Sequence, residues 1–423
     1  MAPSRFKQHD GAAEGPTLGW PGKCRTSLPS CGTVSLLRDS NEPCAGDLFV
    51  GDNLEAMRSL LAPSDKQASL TRLPQPRVIY IDPPYAMNVD HAVLADDGAH
   101  QFAYRDSWAS DAAYCQFMFE RLDLMQRWLR DDGFLFVHCD WRASAWLRVM
   151  LDELFGRSCF RNEIVWRRAP NLGRQAASKQ LGRTVDSILV YSKREGELFP
   201  GVLPKLRKLV ECDQQGRPIN AKWDEVRSAW FTTAPRGDYT DASIERLDVE
   251  GRVHRSGTGK VYIKYFLERE GVEDSHTHSQ ADSQMGKAGT AVKWFKVVPL
   301  DTIWDDAGVR PVRHASKREL AVRYVTQKPE SLLRRIVEWA TLPGDYVADC
   351  FCGSGTTLVA ACDVGRRFIG FDSSDVAWRA TRARLEERGV SWREWQVGPS
   401  ESTASATKIS PSPTRKARVT RGR

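Results

Sequence analysis

Two short segments of the 423-residue chain carry residue types that could do chemistry. One is Asp82-Pro83-Pro84-Tyr85, which follows the apolar run Val78-Ile79-Tyr80-Ile81. A β-branched and aromatic run closed by two prolines reads as a buried strand that stops sharply, because proline lacks the amide that would extend a ladder. The prolines also stiffen the backbone, so the Asp82 carboxylate and the Pro83 carbonyl can face one point with the Tyr85 ring beside it. Such a trio suits a planar base bearing an amino group. The nitrogen lone pair of that group is delocalised into the ring, and two acceptors facing its protons favour a pyramidal, nucleophilic nitrogen. Taken alone, the segment also admits the plainer reading of a rigid strand-ending turn.

The second segment is Phe351-Cys352-Gly353-Ser354-Gly355-Thr356-Thr357, after the strand-like Tyr346-Val347-Ala348-Asp349 and before a small-residue helix. Glycines at a strand-to-helix turn let the backbone approach a ligand, as in doubly wound nucleotide-binding folds. A further strand, Arg367 to Phe371, ends at Asp372, 19 positions past Gly353, where such folds place the acid that holds ribose hydroxyls. A phosphate loop needs Lys-Ser/Thr after its second glycine. Thr356-Thr357 stands there instead, which argues against a nucleoside triphosphate.

Strand-Asp-Pro-Pro-Tyr together with strand-Phe-x-Gly-x-Gly resembles the S-adenosylmethionine-dependent DNA amino-methyltransferases. The order, acceptor motif before cofactor motif, resembles their circularly permuted β class. Gly51 to Glu55, Phe134 to Trp141, Arg161 to Trp166, Ser187 to Lys193, Ile303 to Asp305 and Thr326 to Glu330 resemble, in matched order, the modification subunits of type III restriction systems and stand-alone relatives. The resemblance implies that Asp82, Pro83, Pro84 and Tyr85 form the acceptor pocket. It further implies that Asp349, Phe351, Gly353 and Gly355 hold the methionine part of S-adenosylmethionine, Asp372 its ribose and Asp52 its adenine. Thr326, Lys328 and Pro329 would close that site from the helix preceding the glycine strand. The implied activity is methylation of adenine N6 in double-stranded DNA after base flipping. Asp at the first motif position favours adenine over cytosine N4, since many cytosine enzymes of the family carry Ser there. Methylation of RNA or a protein amide, and a non-catalytic DNA-binding subunit, are the rival readings. A restriction subunit and a second copy of the chain are further partners the resemblance admits. Many relatives continue with Asn-Thr/Ser-Gly, whereas Ala86-Met87-Asn88-Val89-Asp90 stands here, so the covering loop is expected to differ.

The two motif aspartates, Asp82 and Asp349, lie 267 positions apart. A doubly wound sheet brings them together if both loops leave neighbouring parallel strands at a switch point, and permutation then matters little. Met118, Leu122, Met125 and Leu129 fall at helical spacing before the strand Phe134 to Val137. Leu147, Met150, Leu151 and Leu154 mark a second helix ended by Gly156, and Ile188 to Tyr191 a further strand. The expected fold is therefore α/β: a doubly wound, mostly parallel, seven-stranded methyltransferase-type sheet, circularly permuted.

Residues 46–195 and 301–395 are expected to form the catalytic core. Residues 196–300, rich in aromatic and charged residues, form an inserted mixed region that the family uses for target recognition. Residues 1–45 and 396–423, rich in Ser, Thr, Pro and Gly, are expected to be disordered. Of the net charge of +7, five units come from the last segment, where six cations face Glu401. The body is thus mildly basic, with Arg167, Arg168, Arg174, Lys179 and Arg183 as a cluster that could follow phosphates. The ten cysteines lack a CxxC pair, and His276 and His278 sit isolated in a polar stretch, so no metal site is expected. His138, at a strand end, reads equally as structural or pocket-lining. Without a membrane-length apolar run or a signal-peptide core, a cytoplasmic protein is expected.

Overall fold

The computed structural model describes residues 16–26, 33–40, 44–62, 74–87, 89, 91–94, 100–169, 181–269, 293–309 and 327–398. They fall into two compact units, Leu203–Asp301 and the remainder. In chain order the larger unit begins with β1 (Val34–Arg38), β2 (Gly46–Val50), α1 (Asn53–Leu61) and β3 (Val78–Ile81). A hairpin of β4 (His91–Leu94) and β5 (His100–Tyr104) follows, then α2 (Asp111–Trp128), β6 (Phe134–Cys139), α3 (Ser144–Phe155), β7 (Phe160–Arg167) and β8 (Val185–Ser192). The smaller unit contains β9 (Lys205–Val210), β10 (Lys222–Asp224), β11 (Ala229–Pro235), α4 (Asp241–Val249), β12 (Val253–Arg255), β13 (Val261–Arg269) and β14 (Trp294–Pro299). The chain returns with β15 (Ile303–Trp304), α5 (Glu330–Ala340), β16 (Tyr346–Asp349), α6 (Thr356–Asp363), β17 (Arg367–Asp372), α7 (Asp375–Glu387) and β18 (Trp392–Val397).

The larger unit is a doubly wound α/β sheet in the order β1-β18-β2-β17-β16-β3-β6-β8-β7-β15. From β18 to β6 every neighbour is parallel, and β8 runs antiparallel between β6 and β7. The stretch β2 to β7 is the seven-stranded arrangement; β18 and β1 extend it at one edge and β15 at the other. All four side chains of β3 and all six of β6 are buried, as strands covered on both faces require. Met118, Leu122 and Met125 of α2 and Leu147, Met150 and Leu151 of α3 share one core with Ile79, Ile81, Leu135 and Val137. On the opposite face α5 packs Trp339 edge-on to Phe136, ring centroids 6.3 Å apart.

The amino-terminal stretch differs from expectation. Residues 34–38 pair antiparallel with β18, Val34 opposite Val397. Trp20 donates its indole N–H to Gln116 on α2 (2.9 Å), and the Lys23 ammonium donates to Glu153 on α3 (2.6 Å). A sheet edge and two helix surfaces, each supplied by distant sequence, order a segment whose composition alone offers no core. Residues 1–15 and 399–423, Arg174, Lys179, Thr326, His276 and His278 lie outside the described residues.

In the smaller unit an antiparallel sheet, β10-β11-β13-β14-β9 with β12 on β13, packs α4 through Ile244, Leu247, Val253 and Ile263. Its aromatic residues meet as cross-strand pairs, Trp223 with Trp230 and Phe231 with Phe266, so they build the sheet surface before they can serve any ligand. Among the described residues, no helix is long and apolar enough to cross a membrane.

Candidate active site

Strands β16 and β3 are adjacent and parallel, with Asp349 opposite Tyr80. The Asp-Pro-Pro-Tyr turn and the glycine turn therefore leave the sheet side by side, at the point where the chain winds one way through β17 and β2 and the other way through β3 and β6. Such a crevice is where open α/β sheets bind ligands. A cavity of about 1030 Å³ opens there, lined by Asp52, Asp82, Pro83, Pro84, Tyr85, Lys328, Asp349, Phe351, Gly353 and Asp372 among others.

On the glycine side, Asp349 is buried and accepts from the Phe351 N–H (3.0 Å) and the Thr357 hydroxyl (2.5 Å). Burial pushes its carboxyl up to about 7, helped by nearby Asp82 and Asp372 and opposed by those two hydrogen bonds. Asp372 accepts from Gly353 N (2.8 Å) and Ser374 N (2.9 Å); burial raises its pKa against those same bonds. Gly355 does not line the cavity. It caps α6 in the left-handed region at φ +74, and a Cβ there would stand 2.7 Å from Thr381 Oγ1. Thr381 in turn donates to the Gly353 carbonyl (2.9 Å), and Arg384 donates to the Ser354 carbonyl (2.9 Å), so α7 holds the loop from behind.

Asp52 caps α1 by accepting from Leu54 N (2.8 Å) and Glu55 N (3.2 Å). Its second oxygen receives Arg121 (2.9 Å), whose Nε also donates to Asn53 (2.7 Å) and whose guanidinium lies 3.5 Å from the Phe117 ring. Arg121 is buried, and burial works to lower its pKa while Asp52 supports its charge. The sequence offered no sign of it: an arginine on a helix reads as solvated until the fold places Asp52 against it. Replacing Arg121 with methionine takes the cation from half-exposed Asp52, which keeps its two backbone donors, and the donor from the buried Asn53 carbonyl oxygen. We expect a loss of about 1–3 kcal/mol in a denaturant titration.

On the acceptor side, the Asp82 carboxylate receives the Tyr85 hydroxyl and the Lys328 ammonium, and that ammonium stands 3.3 Å from the same hydroxyl. Lys328, read from sequence as closing the cofactor site, thus reaches the acceptor carboxylate. Pro329 precedes α5 as its cap residue and does not line the cavity. The Pro84 carbonyl accepts from Tyr114 (3.0 Å). Ala86 adopts φ +58, and buried Asp106 pins the turn by accepting from Tyr85 N (3.2 Å) and Met87 N (3.1 Å). Asp106 also escaped the sequence reading, because it lies 21 positions beyond Tyr85 with no local pattern to mark it.

His138 is fully buried behind Tyr85, the two rings nearly parallel with centroids 6.4 Å apart. Burial first, then the Lys328 charge, lowers its pKa, so the imidazole is neutral at neutral pH. Asp186 stays ionised: burial raises its pKa, but His138, Lys328 and Arg168 outweigh that and set it below the ordinary value. An ionised carboxylate only accepts, so Nε2–H donates to Asp186 (3.3 Å) and Nδ1 accepts from the Tyr80 hydroxyl (2.8 Å). Of the basic cluster, Arg168 lines the cavity and pairs with Asp186 (2.9 Å). Arg167 lies outside it beside Asp305 (3.9 Å), and Arg183 stacks on Trp141.

A DNA methylase family model of the N6/N4 type matches residues 77–382. The chain belongs to that family. Within the curated proteins, it is 28% identical to the type II methyltransferase M.EcaI of Enterobacter cloacae, over 87% of this chain and 77% of that protein. It is 24% identical to a probable type III HindVI Mod subunit of Haemophilus influenzae (84% of this chain, 53% of the relative). It is 28% identical to the type III StyLTI Mod subunit of Salmonella typhimurium (74% and 49%). The chain spans about half the length of these two Mod subunits. Among solved structures, the M1.HpyAVI–SAM complex matches at 14% identity and TM-score 0.40, over 80% of this chain and 98% of that one. PvuII DNA methyltransferase (cytosine-N4-specific) matches at 13% and 0.41, over 81% and 87%. Both turns that meet at this cavity lie within the matched residues.

Proposed function

We propose that this DNA methylase binds duplex DNA at a short sequence, rotates one adenine out of the stack and methylates its N6 with S-adenosylmethionine. The observation that carries this reading is the adjacency of β3 and β16, which opens the acceptor and glycine turns onto one cavity. Its volume, about 1030 Å³, lies at the upper end of the range for ligand pockets, which supports a site for more than one bound group.

The residues fit the cofactor. The cavity wall from Asp349 to Gly353 offers a buried carboxyl for an ammonium group, Asp372 an acceptor for ribose hydroxyls, and half-exposed Asp52 an acceptor for an exocyclic amine. When bound, S-adenosylmethionine supplies an electrophilic methyl carbon on a positively charged sulfur. The protein's part is to deliver and activate the amine. An everted adenine enters because its amino group is paired and shielded inside the helix. Tyr85 offers a ring face, and Asp82 with the Pro83 carbonyl accepts the two amino protons, freeing the lone pair to form the new N–C bond as the C–S bond breaks. One amino proton is then surplus and leaves through Asp82 to water. Lys328 and the Tyr85 hydroxyl each occupy one Asp82 lone pair, and the carboxylate has others free to accept from the base. Asp at position 82 supports adenine over cytosine. Target recognition is assigned to the smaller unit, whose β9 presents exposed Lys205, Arg207 and Lys208. Similarity to Mod subunits supports a restriction subunit as an additional partner.

Nucleoside analysis after incubating the chain with methyl-labelled cofactor and duplex DNA tests the reading. Label in N6-methyladenine is expected. Label in N4-methylcytosine overturns the base assignment, label only with RNA or protein overturns the substrate class, and cofactor binding without transfer points to a non-catalytic subunit.

Asp349 sets a pH dependence. Its carboxyl, held near 7, must ionise to pair with a cationic cofactor, so protonation competes with binding. Affinity measured calorimetrically should rise about tenfold from about pH 6 to about pH 8. Asp349→Asn should bind more weakly and without that slope. A parallel slope in the variant would assign the titration elsewhere.

A further inference from the structure

Strand β6 lies parallel to β3 with Val137 beside Ile81, so the chain leaves both at one edge. Past the end of β6 come Asp140-Trp141-Arg142. Asp140 and Arg142 pair with each other and line the cavity, whereas Trp141 between them does not. Trp141 is 50% exposed, while Trp128, Trp166, Trp304 and Trp392 of the same unit are each 3% exposed or less. Single exposed apolar residues are ordinary. This one is set apart by place and by charge. The guanidinium of Arg183 lies 3.7 Å from its ring and that of Arg142 4.8 Å, and Arg168, itself at the cavity, donates to the Arg183 carbonyl (3.1 Å). A flat, uncharged ring with a polar edge thus stands between two residues that line the cavity, flanked by cations that phosphates would attract.

Resting on the base-flipping reading above, we infer that Trp141 is the wedge of this enzyme. The indole enters the duplex where the target adenine has left, stacks on the bases beside the gap, and holds the adenine out. Arg142 and Arg183 exchange the ring for the phosphates on either side. Stacking on bases needs only a π face and tolerates any neighbouring sequence, which suits a residue outside the sequence-reading unit. A purely structural Trp141, clamped by Arg183 to hold the start of β8, would affect every DNA substrate alike.

The test uses the full chain and duplexes carrying the recognition site, found by sequencing modified bases in DNA of an expressing host. In one duplex the target adenine is paired; in the other it faces an abasic position, where eversion is already cheap. Trp141→Ala should lower kcat/KM on the paired duplex by about 10- to 100-fold, recover to near the unsubstituted rate on the abasic duplex, and leave cofactor affinity unchanged. Trp141→Phe should keep most activity on both. With 2-aminopurine at the target position, the fluorescence rise on binding should shrink in Trp141→Ala. Equal loss on both duplexes, or no loss on the paired one, overturns the wedge alone. Absence of transfer by the unsubstituted chain on either duplex overturns the functional reading, and the wedge with it. Should Trp141→Ala fold poorly in a thermal melt, Trp141→Gln serves with the same expected pattern and the same overturning results.

Discussion

Asp82→Ala should lower methyl transfer by about 10²- to 10⁴-fold while cofactor affinity stays close to that of the unsubstituted chain. The carboxylate stands on β3's side of the crevice, and the residues expected to hold the cofactor stand on the β16, β17 and β2 sides. The loss therefore falls on the step in which the amine is activated. One complication is Lys328, whose ammonium pairs with Asp82 and would be left in a pocket where it is only 13% exposed. Asp82→Asn separates the two effects. It keeps the size of the side chain and an acceptor oxygen, but turns one acceptor into a donor facing the amino protons. Both variants should lose transfer, and Asn should retain more stability. Parallel loss of cofactor binding and transfer would contradict the division of labour between the two turns.

Gly355→Val should weaken cofactor binding by about 10²-fold, although Gly355 itself does not touch the cavity. At φ +74 any L side chain is strained, and the added Cβ would meet Thr381 Oγ1 at 2.7 Å. Thr381 holds the Gly353 carbonyl, so pushing it away displaces the part of the loop that does line the cavity. The same change should cost about 2–4 kcal/mol of stability from backbone strain and overpacking. Gly344→Ala is the control. It sits at φ +84 with nothing within 4 Å of its Cβ position, so it should show the strain, about 1 kcal/mol, and leave affinity intact. Equal effects of both on affinity would mean that general destabilisation, not loop geometry, sets binding.

The parts that sequence reasoning reached were those with local signatures. Pro83-Pro84 ends β3, Gly353 and Gly355 shape the turn before α6, and the helical spacing of Met118 to Leu129 matches α2. Periodicity and turn chemistry are properties of neighbouring residues, and they survive in any fold that accepts them. What escaped depended on the third dimension. Arg121, Asp106 and the His138–Asp186 pair acquire roles only because α2, the segment after β5, and β8 fold against the two turns. Lys328, read from sequence as closing the cofactor site, stands against Asp82 in the structure, because residue type alone does not tell a long, flexible cation which of several acidic groups it will reach. Residues 34–38 failed for the same reason: a strand at a sheet edge is made by its partner, β18, more than by its own composition.

The proposed function requires that two turns 267 positions apart form a single methyl-transfer site. A crystal structure of the chain with S-adenosylhomocysteine and duplex DNA tests it most directly. The ligand is expected against Phe351 and Gly353, its sulfur turned toward Asp82, with one adenine lifted into the space between. A ligand bound away from the glycine turn, or a sulfur facing away from Asp82 with every base still stacked in the helix, would contradict it.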